Sequence, residues 1–569
     1  MRFSQIFLSA AAMAVIATPA LVRAEATASQ SGVAAHEMVA AANPLAVEAG
    51  LRVLHAGGSA ADAVVAVQAV LGLVEPQSSG VGGGAFLLYY DAKTRTVTAY
   101  DGREKAPSAA TAAMFEGPDG KPMPFVQGVL SGRSTGTPGA IAMLALLQKQ
   151  HGQVPWSSLF GSAVDLADHG FRVTPRLAAD INSKVFPQAV TPDATAYFTK
   201  PDGTRYQVGD LLKNPAYATT LRTIAAKGVT GLTEGRIAED IVAKVHEGPI
   251  PGLLTTADIA AYRPLATQAL CRPYHAYTVC APPPPGGGVG VLELIGELES
   301  TDIASRGPSD PESWFEFAQA SRLMYADRDH YEGDPAFVQA PIAGMIDPAY
   351  DAARARLIPT QGPSAPEPGL PPGASKAGTD HTSEPGGTSD IAIVDKAGNV
   401  VSVTTTVESI FGSGRMVDGF FLNNQLTDFS FSPTEGSGAP AANAVAPGKR
   451  PRSSMSPVIV LDRQGRFVAA MGSPGGNSII AYVGKALTGV FEWKLPIQQA
   501  FALPNIVAKG DVVAVEKGAD PAIVAGLRAH GLNVRADVGE ESGLHGIIKV
   551  PGGYVGGADP RREGVAKGD

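Results

Sequence analysis

Cysteine is almost missing from this sequence: 569 residues hold two, Cys271 and Cys280. Two cysteines exclude a disulfide-stapled scaffold and a thiolate zinc cluster, which needs four ligands at close spacing. No His-Glu-x-x-His pair occurs, so the common helical zinc motif is absent as well. Basic charge is not in excess. The 45 Lys and Arg stand against 54 Asp and Glu, a net charge of −9. A nucleic-acid partner normally requires a basic face, so none is expected. Long apolar runs are missing beyond the first residues. Even Ala60–Val74 carries Asp62 and Gln68, so no membrane span is expected there. Neither metal nor organic cofactor is implied by any motif. The glycine run Ser79-Gly80-Val81-Gly82-Gly83-Gly84 lacks the Lys-Ser/Thr ending of a phosphate loop. It lies after a helical pattern and before a strand, the wrong order for a dinucleotide fingerprint. Close backbone approach at a buried turn explains it better.

What is present is an ordinary apolar fraction, 44%, in a chain long enough for a large core. Glycine (66) and proline (45) are abundant without a Gly-x-y period, which excludes collagen and points to much ordered loop. Residues 1–24 read as a secretory signal peptide, with Arg2, an apolar stretch over residues 6–16, and Val22-Arg23-Ala24 before the cut. Removing them takes the net charge from −9 to −11 and places the protein in the periplasm or outside the cell. That compartment is oxidising. Cys271 and Cys280 flank what reads as a turn and return strand, which would bring them within disulfide range, two unpaired thiols being the alternative.

Periodicity predicts helix through residues 38–55, and Ser59 then caps a second helix over Ala60–Val74. Hairpins are predicted over residues 85–100, 390–407 and 457–471. Their alternation suggests sheets covered on one face. Further helices are expected over 291–298 and 314–328. Residues 361–387 hold six Pro and six Gly and read as a solvated, flexible linker. Such content suits a layered α/β sandwich.

Two nucleophiles compete. Gly132-Arg133-Ser134-Thr135-Gly136 fits the Gly-x-Ser-x-Gly elbow, with apolar residues before it and a helical pattern after it, but Pro138 and Gly139 interrupt the helix entry. Thr388 opens a strand directly after Gly386-Gly387. A threonine hydroxyl needs a base beside it, and cutting the chain before the residue would supply its own α-amino group.

The segment Thr388-Ser389-Asp390-Ile391-Ala392-Ile393-Val394-Asp395-Lys396-Ala397-Gly398-Asn399 resembles the nucleophile strand of the γ-glutamyltransferases (γ-glutamyltranspeptidases). Further segments are similar to that family's motifs, in family order. They are Ser78 to Gly84, Asp101-Gly102-Arg103-Glu104-Lys105-Ala106-Pro107, Asn423 to Phe429, Arg452-Ser453-Ser454-Met455-Ser456-Pro457, Gly472-Ser473-Pro474-Gly475-Gly476 and Gly557-Ala558-Asp559-Pro560-Arg561.

The resemblance implies an N-terminal nucleophile hydrolase, a four-layer αββα sandwich formed as a single fold from two autoproteolytic fragments. The precursor would cut itself between Gly387 and Thr388. A large subunit (25–387) and a small catalytic subunit (388–569) would then form a heterodimer. The implied activity is γ-glutamyl transfer and glutathione hydrolysis through a γ-glutamyl–Thr388 ester. Thr406 would hydrogen-bond the nucleophile, and the N–H groups of Gly475 and Gly476 would form an oxyanion hole. Arg103, Ser453 and Ser454 would hold the substrate carboxylate, and Asp428, Gln425 and Glu408 its ammonium. Glu408 stands where the family often has Asn, Asp390 where an aromatic or His is frequent, and residues 430–451 lack a tyrosine that covers the site in some members. An acylase for glutaryl-type side chains of β-lactams is the alternative on the same fold. An exported binding protein that never matures is a third.

Overall fold

The computed structural model describes residues 32–358, 362, 364–375, 378–380, 382–434, 438–539 and 542–569. The expected signal peptide, residues 1–24, lies outside the described residues. Among those residues no helix is long and apolar enough to cross a membrane.

Thirteen strands build two antiparallel sheets. They are β1 (Met38–Ala41), β2 (Gly84–Asp91), β3 (Thr96–Asp101), β4 (Leu265–Gln268), β5 (Leu270–Tyr274), β6 (Tyr277–Ala281), β7 (Thr388–Val394), β8 (Val400–Thr406), β9 (Val458–Asp462), β10 (Phe467–Gly472), β11 (His545–Val550), β12 (Gly553–Ala558) and β13 (Val565–Gly568). The first sheet runs β13-β1-β7-β8-β2-β3-β4, and the second runs β12-β11-β10-β9-β6-β5. Each sheet contains strands from both sides of Gly387, so neither half of the chain has a sheet of its own.

Side chains explain the stacking. Ala392, Val394, Leu88 and Tyr90 meet Ile459, Leu461, Ala470 and Ile547 of the second sheet in one buried cluster. The alternate residues Ile391, Ile393, Val401 and Val403 point the other way, onto α1 (Pro44–His55) and α2 (Ala60–Val74). On the second sheet, Val458, Val460 and Met471 pack with α3 (Gly288–Leu298), α4 (Pro311–Tyr331) and α5 (Ile479–Leu487). Every residue of β7 and β8 is therefore buried. These two strands have no solvent-facing side, because one face meets the helices and the other meets the second sheet.

Other differences are local. Residues 38–41 are strand, not the start of a helix. Fully buried between β13 and β7, they show no alternation that would separate them from helix. The helix begins at Pro44, fixed by Asn43, whose side chain accepts from Leu45 N at 2.9 Å. Ser59 caps α2 in a reciprocal capping box with Asp62. The residues before Ser134 form a helix, Phe125–Leu130, followed by a 3₁₀ turn, Gly132–Ser134, so the strand-turn-helix of a nucleophile elbow is not formed. The Ser134 hydroxyl lies 2.8 and 2.9 Å from the carbonyls of Val129 and Ser131. Cys271 and Cys280 face each other across β5 and β6 and are joined by a disulfide.

The proline-rich linker also departs from the solvated reading at its end. Asp380 is 1% and Glu384 6% exposed, and both are ion-paired. Composition shows that the segment has no apolar core of its own, but it cannot show that buried arginines elsewhere hold its carboxylates.

Candidate active site

Thr388 opens β7 and Thr406 closes β8, and the register sets them opposite each other. On the far side of β8, Thr406 pairs with Gly84 of β2. The glycine run before β2 lets the chain pass closely: a Cβ on Gly83 would lie 1.9 Å from Thr406 O. Thr388 Oγ1 donates to Thr406 Oγ1 at 3.1 Å. Thr406 Oγ1 in turn donates to the carbonyl of Gly387 at 2.7 Å and accepts from Glu408 N at 2.8 Å. One hydroxyl thus touches the expected nucleophile and the carbonyl of the bond expected to be cut. Glu408 reaches this position with φ of +83°, a conformation costly for a residue with a Cβ.

Glu408 links this chain to a buried cluster of charges. Gln425 Nε2 donates to Glu408 Oε2 at 2.5 Å and to Asp428 Oδ2 at 2.9 Å. Asp428 Oδ2 also accepts from Arg103 Nη2 at 2.5 Å. Arg103 donates further to the carbonyls of Pro451 and Arg452. Its Nη1 makes no hydrogen bond with the described residues and lies 4.0 Å from Glu104. Burial raises all three carboxyl groups around this arginine. Glu104 is pushed up to about 8 despite Arg103. Asp428 is pushed to about 6, with Arg103 opposing. Glu408 is driven well above the usual carboxylate range by burial and then by Asp428. The cluster holds one fixed cation and three carboxyl groups, an arrangement able to receive an ammonium group.

The serines follow directly on Pro451 and Arg452, whose carbonyls Arg103 bonds. Ser454 donates through N and Oγ to Glu384 Oε2 at 2.9 and 2.7 Å. Ser453 Oγ accepts from Met455 N at 3.1 Å, and its N–H donates to Pro285 O at 2.8 Å. Gly475 and Gly476 form the turn after β10. Gly476 has φ of +54°, and a Cβ there would lie 2.1 Å from Glu384 O, so the chain just before Thr388 rests directly on this turn. A cavity of about 520 Å³ opens beside it, lined by Glu384, Pro385, Gly386, Gly475, Arg176 and Arg562 among others.

The structure therefore links Thr388, Thr406, Gly387, Glu408, Gln425, Asp428 and Arg103 through contacts, with Ser454, Gly475 and Gly476 joined to Thr388 by the segment 384–387. The disulfide belongs to the second sheet, on strands that carry none of these residues. Three participants escape sequence reading. Arg562 Nη1 donates to Thr388 O at 2.8 Å, Glu104 stands beside Arg103, and Arg328 bonds Glu384. Glu104 and Arg562 lie in or beside quoted motifs, but only the fold shows what they touch. Away from the site, Glu37, His55 and Asp569 lie together, with His55 Nε2 3.4 Å from Glu37 and 3.3 Å from Asp569.

A family model described as gamma-glutamyltranspeptidase matches residues 46–569. The chain is 33% identical over 546 residues to the glutathione hydrolase proenzyme of Bacillus subtilis (strain 168), covering 93% of this chain and 91% of that protein. It is 34% identical over 536 residues to the glutathione hydrolase proenzyme of Escherichia coli (strain K12), covering 92% and 90%. Among solved structures, a cephalosporin acylase from Bacillus halodurans is similar with a TM-score of 0.83 at 25% identity, covering 98% of this chain and 99% of that one. With its whole length from residue 46 matched, the chain belongs to the gamma-glutamyltranspeptidase family.

Proposed function

We propose that this protein is a γ-glutamyltransferase and glutathione hydrolase acting through a γ-glutamyl ester on Thr388. The Thr388 oxygen adds to the γ-carbonyl carbon, the amide C–N bond breaks, and the amine leaves with a proton. Water, or the amine of an amino acid or peptide, then takes the acyl group. The α-amino group of Thr388 serves as base, so the Gly387–Thr388 bond is cut first. The observation that carries this reading is the placement of Thr406, whose hydroxyl lies 3.1 Å from Thr388 Oγ1 and 2.7 Å from Gly387 O. Gly475 and Gly476 stabilise the oxyanion. Arg103, Ser453 and Ser454 take the substrate carboxylate, while Asp428, Gln425 and Glu408 take its ammonium.

In this reading the protein is exported after loss of residues 1–24. The mature enzyme is a heterodimer of residues 25–387 and 388–569, sharing a four-layer αββα sandwich of the N-terminal nucleophile hydrolase type. The likeness to the cephalosporin acylase over nearly the full chain favours a second reading, an acylase for glutaryl-type amides. Such substrates lack the ammonium that Asp428, Gln425 and Glu408 take in the first reading. Turnover of γ-glutamyl-4-nitroanilide and glutaryl-4-nitroanilide by the purified protein separates the two. The first reading expects γ-glutamyl turnover to lead by tenfold or more, and equal or reversed rates contradict it.

A further inference from the structure

The cavity of about 520 Å³ beside the segment 384–387 has the size of a small-ligand pocket. Gly386, Ser409, Gly475 and Arg562 stand on its wall. Arg562 Nη1 donates to Thr388 O at 2.8 Å, and a Cβ on Gly387 would lie 2.5 Å from the Ser409 carbonyl carbon, so the cavity reaches the nucleophile. Arg103, Gln425 and Asp428 are not on its wall. With the acyl group directed to that charged cluster, the cavity is left for the other half of the reaction, the amine that leaves or the amine that accepts.

Much of the remaining wall is apolar, with Phe125, Val126 and Phe186 on it. The Phe125 ring stacks 5.7 Å from Phe431, which stacks on Phe115 at 4.5 Å. Phe186 leads into a 3₁₀ turn, Pro187–Val190, and Thr191 after it donates to Gly414 O at 2.6 Å. Protein contacts thus fix both segments before any ligand arrives, which lowers the cost of binding. Val126 is 51% exposed, Val185 beside Phe186 is 80% and Val190 is 65%. Exposed apolar side chains gathered at one cavity are the mark of a binding surface. Two charged residues of the wall are already engaged. Arg176 Nη1 donates to Glu75 at 3.2 Å and to Ser78 at 3.1 Å, and Glu384 is bonded by Ser454 and Arg328. Asp180 Oδ2 has no hydrogen-bond partner among the described residues.

We propose that this cavity is the seat of the leaving and accepting amine, and that Phe125, Val126 and Phe186 select amines with a large apolar side chain, phenylalanine-like amino acids and peptides that begin with one. In transfer, the amine nitrogen bonds to the γ-carbonyl carbon, the ester C–O bond to Thr388 breaks, and the proton from the amine returns to the Thr388 oxygen. The side chain of that amine lies against the three apolar residues, which belong to the large fragment, while the ester belongs to the small one. This inference rests on the γ-glutamyl reading and names the substrate class of the same site.

The test compares hydrolysis of γ-glutamyl-phenylalanine, γ-glutamyl-glycine and γ-glutamyl-lysine joined through its α-amine. Matured wild type should favour phenylalanine over glycine by about tenfold in kcat/KM, the scale on which a hydrophobic pocket discriminates. Equal rates, or a preference for glycine or for lysine, would overturn the proposal. Val126→Ser and Phe186→Ser should each cut the phenylalanine-to-glycine ratio threefold or more. An unchanged ratio in variants that form both fragments would overturn it, because a merely structural role would slow all substrates alike. Should neither variant mature, the wild type decides by competition. With γ-glutamyl-4-nitroanilide as donor and equal phenylalanine and glycine as acceptors, γ-glutamyl-phenylalanine should form at least threefold faster, and equal or reversed products would overturn the proposal. Turnover of glutaryl amides alone would contradict the γ-glutamyl reading instead. The apolar wall would then be judged by the same ratio, glutaryl-phenylalanine against glutaryl-glycine.

Discussion

Thr406 stands directly across the β7–β8 ladder from Thr388, and its hydroxyl accepts from Thr388 Oγ1 at 3.1 Å while donating to Gly387 O at 2.7 Å. Thr406→Val removes both contacts and leaves Glu408 N without its acceptor. Self-cleavage should slow, and kcat of the matured fraction should fall by about 10²-fold, the scale for losing one positioned donor. Thr406→Ser should retain most of both rates. The checks are a time course of fragment formation and steady-state kinetics.

The Arg103–Asp428 contact makes a pH prediction. Burial raises Asp428 to about 6, with Arg103 opposing. An ammonium group binds the carboxylate form, so kcat/KM for a γ-glutamyl substrate should rise as pH increases through about 6. Asp428→Asn should abolish this acid limb and lower kcat/KM about tenfold or more. Arg103→Lys should raise KM, because lysine cannot span Asp428 and the carbonyls of Pro451 and Arg452 together. A pH–rate profile of each variant tests both statements.

Glu104 carries a stability prediction. Burial lifts its carboxyl to about 8, and neither oxygen has a hydrogen-bond partner among the described residues. A carboxyl raised in the folded state binds a proton more tightly there than in the unfolded chain. Its stabilising contribution is complete below the ordinary carboxylate range and is lost as pH rises toward 8, by about 5 kcal/mol at most. Glu104→Gln should flatten the decline of melting temperature between pH 5 and 8. Thermal melts across that range would show it.

Ser134 matches a nucleophile motif by pattern alone. Its buried hydroxyl faces the carbonyls of Val129 and Ser131. Ser134→Ala should cost about 1 kcal/mol of stability and leave kcat/KM within twofold of wild type. Paired activity and melting measurements check this.

Legibility followed contact range. The hairpin carrying Thr388 and Thr406 was readable because Gly398 and Asn399 mark its turn and the flanking residues alternate. Met38–Ala41 was not, since a short strand buried on both faces has no alternation to detect. Arg103 and Asp428 are singled out in the sequence through the family resemblance alone. Their direct bond across 325 positions was not readable. Nor was the packing of Glu384 against Arg328 and Ser454, because the segment around it is rich in proline and glycine and shows no local sign of being held.

The most direct test is a denaturing gel of the purified protein with N-terminal sequencing of its bands, beside the Thr388→Ala variant. The account predicts two fragments, the smaller beginning Thr388-Ser389-Asp390, and a single intact, inactive chain for the variant. An intact wild-type chain that hydrolyses γ-glutamyl amides, or an active Thr388→Ala protein, would contradict it.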